Sequence, residues 1–263
     1  MDYEHILVED EPDGVRVLTL NRPEKLNAWH QPMRMEMRDA IEDVARNQDL
    51  RVLVITGAGR AFSAGEDVAG MAGLTDLGTR AFRSVVRQIH DVFDLVENIE
   101  IPVVAAVEGV AAGGGFELCL SCDFRVLADS ARFVMPEVKV GLIPGSGGCS
   151  RLIRHVGLAK AKELIMLGAT LRAAQACEIG LATRVVPDGS ALDGAREVAR
   201  QLAGFAPLAV GMAKLVLNTC ADVDAETGRR MERLGQSVLK TTADHKEGAQ
   251  AFLEKRPPNW IAR

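Results

Sequence analysis

Two glutamates lie next to glycine-rich segments of the sequence, where a carboxyl group could act as a general acid or base. Glu117 follows three glycines at 113–115 and is the single charged residue between Glu108 and Asp123. An apolar neighbourhood disfavours the ionised carboxyl and moves its pKa toward neutral, as acid–base catalysis requires. A buried glutamate in a structural ion pair would explain the same residue.

The second glutamate, Glu137, follows a proline and precedes a bend rich in glycine and proline at residues 141–148. A carboxylate at the end of a strand beside such a bend could face the first glutamate. A solvent-exposed Glu137 paired with Lys139 would explain the residue equally well.

Two segments could present backbone N–H groups to a ligand. The glycines at 113–115 open a predicted helix, whose free amides and dipole would stabilise an oxyanion by about 3 kcal/mol. The small residues at 63–65 leave the amide of Glu66 open to a bound atom. Close packing of backbone and an ordinary polar loop are the respective alternatives. A dinucleotide-binding turn is disfavoured because its third glycine would fall at Phe62.

Other site types have weaker support. Cys119 and Cys122 have metal-ligand spacing, but no second Cys/His pair accompanies them, so we predict core packing and no metal site. The five histidines lie outside every glycine-rich segment and no G-x-S-x-G motif is present, which disfavours a hydrolase triad. A glycosidase would also use two carboxylates, but the two tryptophans offer few sugar-stacking surfaces.

Composition limits the possible partners. The 263 residues are 48% hydrophobic and 25% charged, which is typical of a globular protein, and the net charge of −5 disfavours binding to nucleic acid or to an anionic membrane. No apolar run approaches the roughly 20 residues of a membrane span. The first twenty residues lack the order of a signal peptide, so we expect a cytoplasmic protein with reduced cysteines.

The elements that must position these residues alternate between strand and helix in the first two thirds of the chain. This predicts an α/β core over residues 1–204 and a helical region over 205–263. Strands are predicted at 15–20, 51–56, 102–107, 123–128, 132–135 and 183–186, and those at 51–56 and 102–107 are predicted to be buried. Helices are predicted at 32–47, 82–99, 113–122, 149–156, 159–167, 173–179, 191–202, 208–219, 225–239 and 244–254.

Taken together, these segments resemble the enoyl-CoA hydratase/isomerase (crotonase) superfamily over almost the whole chain. The motifs are LNRPEKLNA at 20–28, ITGAGRAFSAGEDV at 55–68, IPVVAAVEGVAAGGGFEL at 101–118, CDFRVLADSARFVMPEVKVGLIPGSGG at 122–148 and AFLEKRPPNW at 251–260. The resemblance implies a spiral of repeated β-β-α turns followed by a helical trimerisation region. It also implies a homotrimer or a homohexamer built from two trimers.

The resemblance further implies an acyl-CoA thioester substrate, without a separate cofactor. The thioester carbonyl would be polarised by the backbone N–H groups of Glu66 and Gly114. In the hydratase branch, two glutamates hold the attacking water, and Glu117 and Glu137 occupy the matching positions. Double-bond isomerases of this fold usually keep one of the two acids, so the pair favours hydration.

Coenzyme A contacts are implied in the same way. The nucleotide end would be lined by Lys25, Leu26 and Ala28, and the pantetheine and adenine by Ala64, Asp67 and Val68. Phe252 and Lys255 match positions that reach the coenzyme A of a neighbouring subunit. A solvated face is the alternative for the two lysines.

The sequence departs from the best-known short-chain hydratases at Glu66, where those enzymes have alanine. Because the oxyanion site needs the amide alone, we expect catalysis to survive, with an altered mouth of the acyl pocket.

The expected reaction is syn addition of water across a trans-2-enoyl-CoA to give a 3-hydroxyacyl-CoA. Glu137 would give the proton to the α-carbon and Glu117 would orient or deprotonate the water, although the roles could exchange. Two other functions remain open. One is isomerisation or other enolate chemistry on an unusual acyl group, and the other is a non-catalytic binding protein.

Overall fold

The computed structural model describes residues 3–67 and 77–262, which form nine strands and nine α-helices. The strands are β1 (Ile6–Glu11), β2 (Val15–Leu20), β3 (Val52–Gly57), β4 (Val103–Val107), β5 (Val110–Ala112), β6 (Phe124–Ala128), β7 (Arg132–Val134), β8 (Thr170–Arg172) and β9 (Arg184–Val186). The helices are α1 (Gln31–Arg46), α2 (Thr79–Asn98), α3 (Gly114–Ser121), α4 (Gly148–Met166), α5 (Ala173–Glu178), α6 (Ala191–Ala203), α7 (Pro207–Cys220), α8 (Ala225–Leu239) and α9 (Ala243–Glu254). Short 3-10 turns occur at Pro23–Lys25 and Glu137–Val140.

A six-stranded sheet forms the centre of the fold, in the order β1-β2-β3-β4-β6-β9. Strand β1 is antiparallel to β2, and the other pairs are parallel. Strand β4 is buried along its whole length and β3 along all but its last residue. Both strands consist mainly of valine, isoleucine, leucine and alanine, which suits strands with both faces covered.

A second, smaller sheet has the order β5-β7-β8 and leads directly into the helix that carries Glu117. Strand β5 is parallel to β7 and ends two residues before α3 begins. The amide of Gly113, between the two elements, donates to the carbonyl of Val134 in β7 at 2.9 Å. The small sheet therefore fixes the point at which α3 starts.

The helices cover the sheets with their apolar faces. Helix α1 begins with a proline near its N-terminus and buries one stripe: Met33, Met37, Ala40, Ile41 and Val44. Helix α2 buries Val92, Phe93 and Val96, and every residue of α3 after Gly114 is buried. An eight-residue helix enclosed in this way holds its side chains in fixed positions.

The three C-terminal helices are less enclosed than the core. Large apolar side chains are exposed on α7, α8 and α9: Leu215, Leu217, Leu234, Val238, Phe252 and Leu253. Within the described ranges no single helix is long and apolar enough to span a membrane, although α6 and α7 together pass that test with a 106° bend between them.

The structure adds three strands to those predicted from sequence, namely β1, β5 and β8. The helices predicted at 149–156 and 159–167 form one element, α4, with a break in helical geometry at Gly157. The other predicted strands and helices are present, and their ends differ from the predicted ends by up to three residues.

Candidate active site

Two free backbone amides meet where the loop after β3 approaches the first turn of α3. A Cβ placed on Gly65 would lie 3.1 Å from the amide nitrogen of Gly114, and one placed on Gly114 would lie 3.9 Å from the amide nitrogen of Glu66. Neither the Glu66 nor the Gly114 N–H has an acceptor among the described residues. The structure thus brings together, as donors bordering one space, the two amides that the resemblance noted from sequence implies.

The loop that carries the Glu66 amide is anchored to both neighbouring segments. The Ser63 amide donates to Val110 in β5 at 3.2 Å, and its carbonyl accepts from Ala112 at 2.9 Å. The Ser63 hydroxyl donates to the Asn27 carbonyl at 2.8 Å. Gly65 has a φ of +88°, and a Cβ there would lie 2.7 Å from the Ala112 carbonyl. Only glycine fits this close approach without strain.

Glu117 lies in the first turn of α3 with its carboxyl group buried. Its Oε1 accepts hydrogen bonds from the amides of Ser146 at 2.7 Å and Gly148 at 2.8 Å. Burial raises the pKa of Glu117, and these two amides oppose the change. No Lys or Arg among the described residues forms a salt bridge with it, so the structural ion pair considered from sequence is not seen. Its second oxygen is left for other partners.

Glu137 begins the 3-10 turn that follows β7, and its side chain lies against Gly113, the residue before Gly114. Its Oε1 lies 2.7 Å from the position of a Cβ on Gly113. Its Oε2 is buried and has no hydrogen-bond partner among the described residues. Burial raises the pKa of Glu137 to about 7, and the charge on Glu117 adds to the increase. No ion pair with Lys139 is seen in the described structure.

Helix α3 is fixed at its C-terminal end by side-chain donors, of which Arg125 is buried. The Arg125 guanidinium donates to the carbonyls of Cys119 at 3.0 Å and Cys122 at 2.6 Å. His155 Nε2 lies 3.0 Å from the Leu120 carbonyl. These contacts satisfy the carbonyls that the end of the helix leaves open and complement its dipole. The position of Glu117 therefore depends on polar contacts at both ends of α3.

The side chain of Glu66 is directed to α1. Arg34 Nη1 donates to both carboxylate oxygens of Glu66, at 2.7 and 2.9 Å. Burial raises the pKa of Glu66, and the Arg34 charge opposes the change. Next along the chain, Asp67 Oδ2 lies 3.2 Å from Arg22. The Glu66 side chain is thus held in an ion pair, while its amide has no acceptor among the described residues.

The remaining predicted contacts fall into two groups. In the first group, the Ala64 amide donates a hydrogen bond to the Leu26 carbonyl at 2.8 Å. Nearby in sequence, Ala28 is buried and Lys25 is exposed. Phe252 and Lys255 are exposed at the end of α9, and no described contact connects them with the first group. Val68 lies outside the described residues.

Three contributors were missed by the sequence reasoning. His90 of α2 contacts the Gly145 carbonyl, Arg34 binds Glu66, and the buried Trp29 indole nitrogen lies 3.9 Å from a Cβ position on Gly114 without a partner among the described residues. All three are distant in sequence from the segment that they contact, so no local spacing reveals them.

The predicted packing of the two cysteines is confirmed, because Cys119 and Cys122 are both buried in the core. Burial raises the pKa of both thiols, which keeps them protonated.

The site combines two amide donors with two carboxyl groups of raised pKa. The amides can stabilise negative charge that develops on a carbonyl oxygen. A carboxyl with a pKa of about 7 exchanges protons readily at neutral pH, as a general acid or base must. The arrangement suits proton transfer next to a polarised carbonyl.

Comparison with known proteins agrees with this chemistry. Residues 10–263 match the family model described as enoyl-CoA hydratase/isomerase. The chain is 38% identical over 264 residues to crotonyl-CoA hydratase from Syntrophomonas wolfei, with both chains fully covered. It is also 38% identical over 255 residues to 1,2-epoxyphenylacetyl-CoA isomerase from Escherichia coli, covering 95% of this chain and 96% of the relative.

Among solved structures, an enoyl-CoA hydratase from Bacillus anthracis superposes with a TM-score of 0.94 at 36% identity, covering 99% of this chain and 100% of that one. The fold is therefore the α/β crotonase fold, with two mixed sheets and C-terminal helices. From its fold, its full-length relatives and its matched family model, the chain belongs to the enoyl-CoA hydratase/isomerase family.

Proposed function

We propose that this protein is an enoyl-CoA hydratase, which adds water syn across a trans-2-enoyl-CoA to give a 3-hydroxyacyl-CoA. The observation that supports this most is the presence of two carboxyl groups beside one amide pair. Glu117 lies in the helix that Gly114 begins, and Glu137 lies against Gly113. Two acids near the amide pair can hold one water against the double bond.

In the proposed reaction, the amides of Glu66 and Gly114 bind the thioester oxygen. The oxygen of the water bonds to the β-carbon, the water loses one proton to the Glu117 carboxylate, and the electrons of the double bond move onto the thioester oxygen. Glu137 in its protonated form then gives a proton to the α-carbon, and the carbonyl is restored. A proton passing from Glu117 to Glu137 returns the pair to its starting state. The two roles could exchange, because the acids titrate as a pair.

The proposal is tested by measuring hydration of crotonyl-CoA through the decrease in the absorbance of its conjugated enoyl thioester. Glu117→Gln and Glu137→Gln should each slow the reaction by about 100- to 10,000-fold. Glu178→Gln, which changes an exposed carboxylate on α5, is the matched control and should retain full activity. Full activity in either active-site variant would exclude the two-glutamate mechanism.

Isomerisation of an acyl-CoA is the second candidate, since a relative of equal identity is named 1,2-epoxyphenylacetyl-CoA isomerase. A panel of 2-enoyl and 3-enoyl thioesters separates the two reactions. We expect hydrated product from the 2-enoyl substrates. Turnover of 3-enoyl substrates alone would favour isomerisation.

We also propose that the chain assembles as a homotrimer or homohexamer through α7, α8 and α9. The large exposed apolar side chains of these three helices support this, because such side chains are commonly buried between subunits. In such an assembly, Phe252 and Lys255 would contact the coenzyme A of a neighbouring subunit. Light scattering coupled to size exclusion would give the subunit number, and a monomer at micromolar concentration would contradict the proposal.

A further inference from the structure

His90 on α2 contacts the loop that binds Glu117. Its Nε2 donates to the carbonyl of Gly145, which lies in the bend between the 3-10 turn and α4. Val86, one turn earlier on α2, lies 4.0 Å from the position of a Cβ on Gly145. Helix α2 therefore holds this bend by the His90 hydrogen bond, with Val86 close to Gly145.

The carbonyl of Gly145 and the amide of Ser146 belong to the same peptide group. The carbonyl accepts from His90, and the amide donates to Glu117 Oε1 at 2.7 Å. A peptide group is planar, so fixing one end fixes the direction of the other. A hydrogen bond to the carbonyl also polarises the group and strengthens its N–H as a donor.

We propose that His90 is a positioning residue that orients and stabilises the Glu117 carboxylate through the Gly145–Ser146 peptide group. The inference rests on the proposed function, in which Glu117 orients or deprotonates the attacking water. His90 does not need to touch the substrate for this role.

Other groups act on the same carboxyl, and their contributions differ from that of His90. Burial raises the pKa of Glu117, whereas the two amides and the charges on His90 and Arg151 oppose the change. Arg151 is already bound by Asp94 at 2.5 Å and Glu97 at 2.8 Å, and its Nη1 donates to the Ser146 carbonyl at 3.2 Å.

On the substrate side of Glu117, the facing groups are acidic or neutral. Glu137 and the Cys149 thiol are both affected by the charge on Glu117. Glu117 accepts a hydrogen bond from the Gly145–Ser146 peptide group. Among the described groups around the carboxyl, only His90 connects that peptide group to helix α2.

The test compares His90→Leu, which removes the donor, with His90→Gln, whose amide can still donate to the Gly145 carbonyl. Gln88→Leu places leucine at an exposed position of the same helix and is the matched control. The ionisation of Glu117 is followed by its protonated-carboxyl infrared band, identified by subtraction of the Glu117→Gln spectrum. The pH dependence of kcat/KM for crotonyl-CoA is measured in parallel.

In His90→Leu, the titration midpoint of Glu117, which is the pH at which half of this carboxyl is protonated, should rise by about 0.5 to 1 pH unit, because the carboxylate loses a stabilising donor. The acidic limb of the kcat/KM profile should move to higher pH as well. At pH values below the wild-type limb, kcat/KM should therefore fall by about 3- to 10-fold. His90→Gln should recover most of the difference, and Gln88→Leu should match the wild type.

An unchanged Glu117 midpoint in folded His90→Leu overturns the inference, whether or not the protein hydrates crotonyl-CoA. Failure of His90→Gln to recover the midpoint overturns it too, because a general packing effect would then explain the change. A wild type that hydrates no enoyl thioester, together with a shifted midpoint, contradicts the proposed function while the coupling of His90 to Glu117 stands.

Discussion

Replacing Glu137 by glutamine is expected to stabilise the folded protein at pH 8 while it slows catalysis. The carboxyl is half-buried, its Oε2 has no partner among the described residues, and Glu117 lies close enough to disfavour its ionised form. An ionised Glu137 therefore costs the folded state free energy that the unfolded chain does not lose. Glutamine keeps the shape and the polar atoms of the side chain without the charge.

The magnitude follows from the pKa. An increase from 4.5 to about 7 corresponds to about 3 kcal/mol, which partial exposure of the side chain reduces to about 1–2 kcal/mol. The folded state binds the proton more tightly, so this group lowers stability as the pH rises from about 4.5 to about 7. The difference between Glu137→Gln and wild type should therefore be full at pH 8 and fall to a few tenths of a kcal/mol near pH 4.5.

Thermal unfolding at the two pH values measures this difference. At pH 8, Glu137→Gln should unfold about 2 to 6 °C above the wild type, with little difference at pH 4.5. Glu178→Gln, at an exposed site on α5, should show no comparable change with pH. A Glu137→Gln protein that unfolds below the wild type at pH 8, or by the same margin at both pH values, would refute the reasoning.

Three further substitutions test other parts of the site. Gly65→Ala forces a Cβ against backbone at a φ of +88° and should displace the amide pair, so crotonyl-CoA hydration should slow by about 100-fold or more. A rate near that of the wild type would contradict the role of the two amides. Glu66→Ala keeps the required amide, so kcat for crotonyl-CoA should stay within about threefold of the wild-type value, while KM should change across a series of acyl chain lengths. An equal loss of kcat on every chain length would assign the side chain to catalysis. Arg125→Met leaves buried carbonyls without donors and should cost about 3 kcal/mol in urea unfolding, and a loss well under 1 kcal/mol would show that these carbonyls find other partners.

Most of the core could be predicted because its elements are determined by local pattern. Strands β3 and β4 are continuous runs of apolar, largely β-branched residues, and α2 has an apolar stripe at helical spacing. Such patterns identify buried strands and amphipathic helices without knowledge of their neighbours.

The strands that were missed depend on pairing instead. Strand β1 is an edge strand with polar residues, and β5 and β8 contain three residues each. A three-residue strand has too few side chains to show a period. The equally short β7 and β9 each have two β-branched or aromatic residues, which favour a strand, whereas β5 and β8 have one each.

The same distinction applies to the site. Glu117 is conspicuous in the sequence because it interrupts an apolar run, and the glycines before it indicate free amides. The contact of His90 joins residues 55 positions apart, and Arg34 reaches Glu66 across 32. Neither pair leaves a trace in local spacing, because each depends on how α1 and α2 pack against the site.

A crystal structure of the Glu137→Gln protein with crotonyl-CoA bound tests the central claim most directly, because this variant should bind substrate and turn it over slowly. We expect the thioester oxygen about 2.7–3.1 Å from the amide nitrogens of both Glu66 and Gly114. A water held by Glu117 should face the β-carbon. A thioester oxygen bound away from either amide, or a β-carbon beyond the reach of Glu117, would contradict the account.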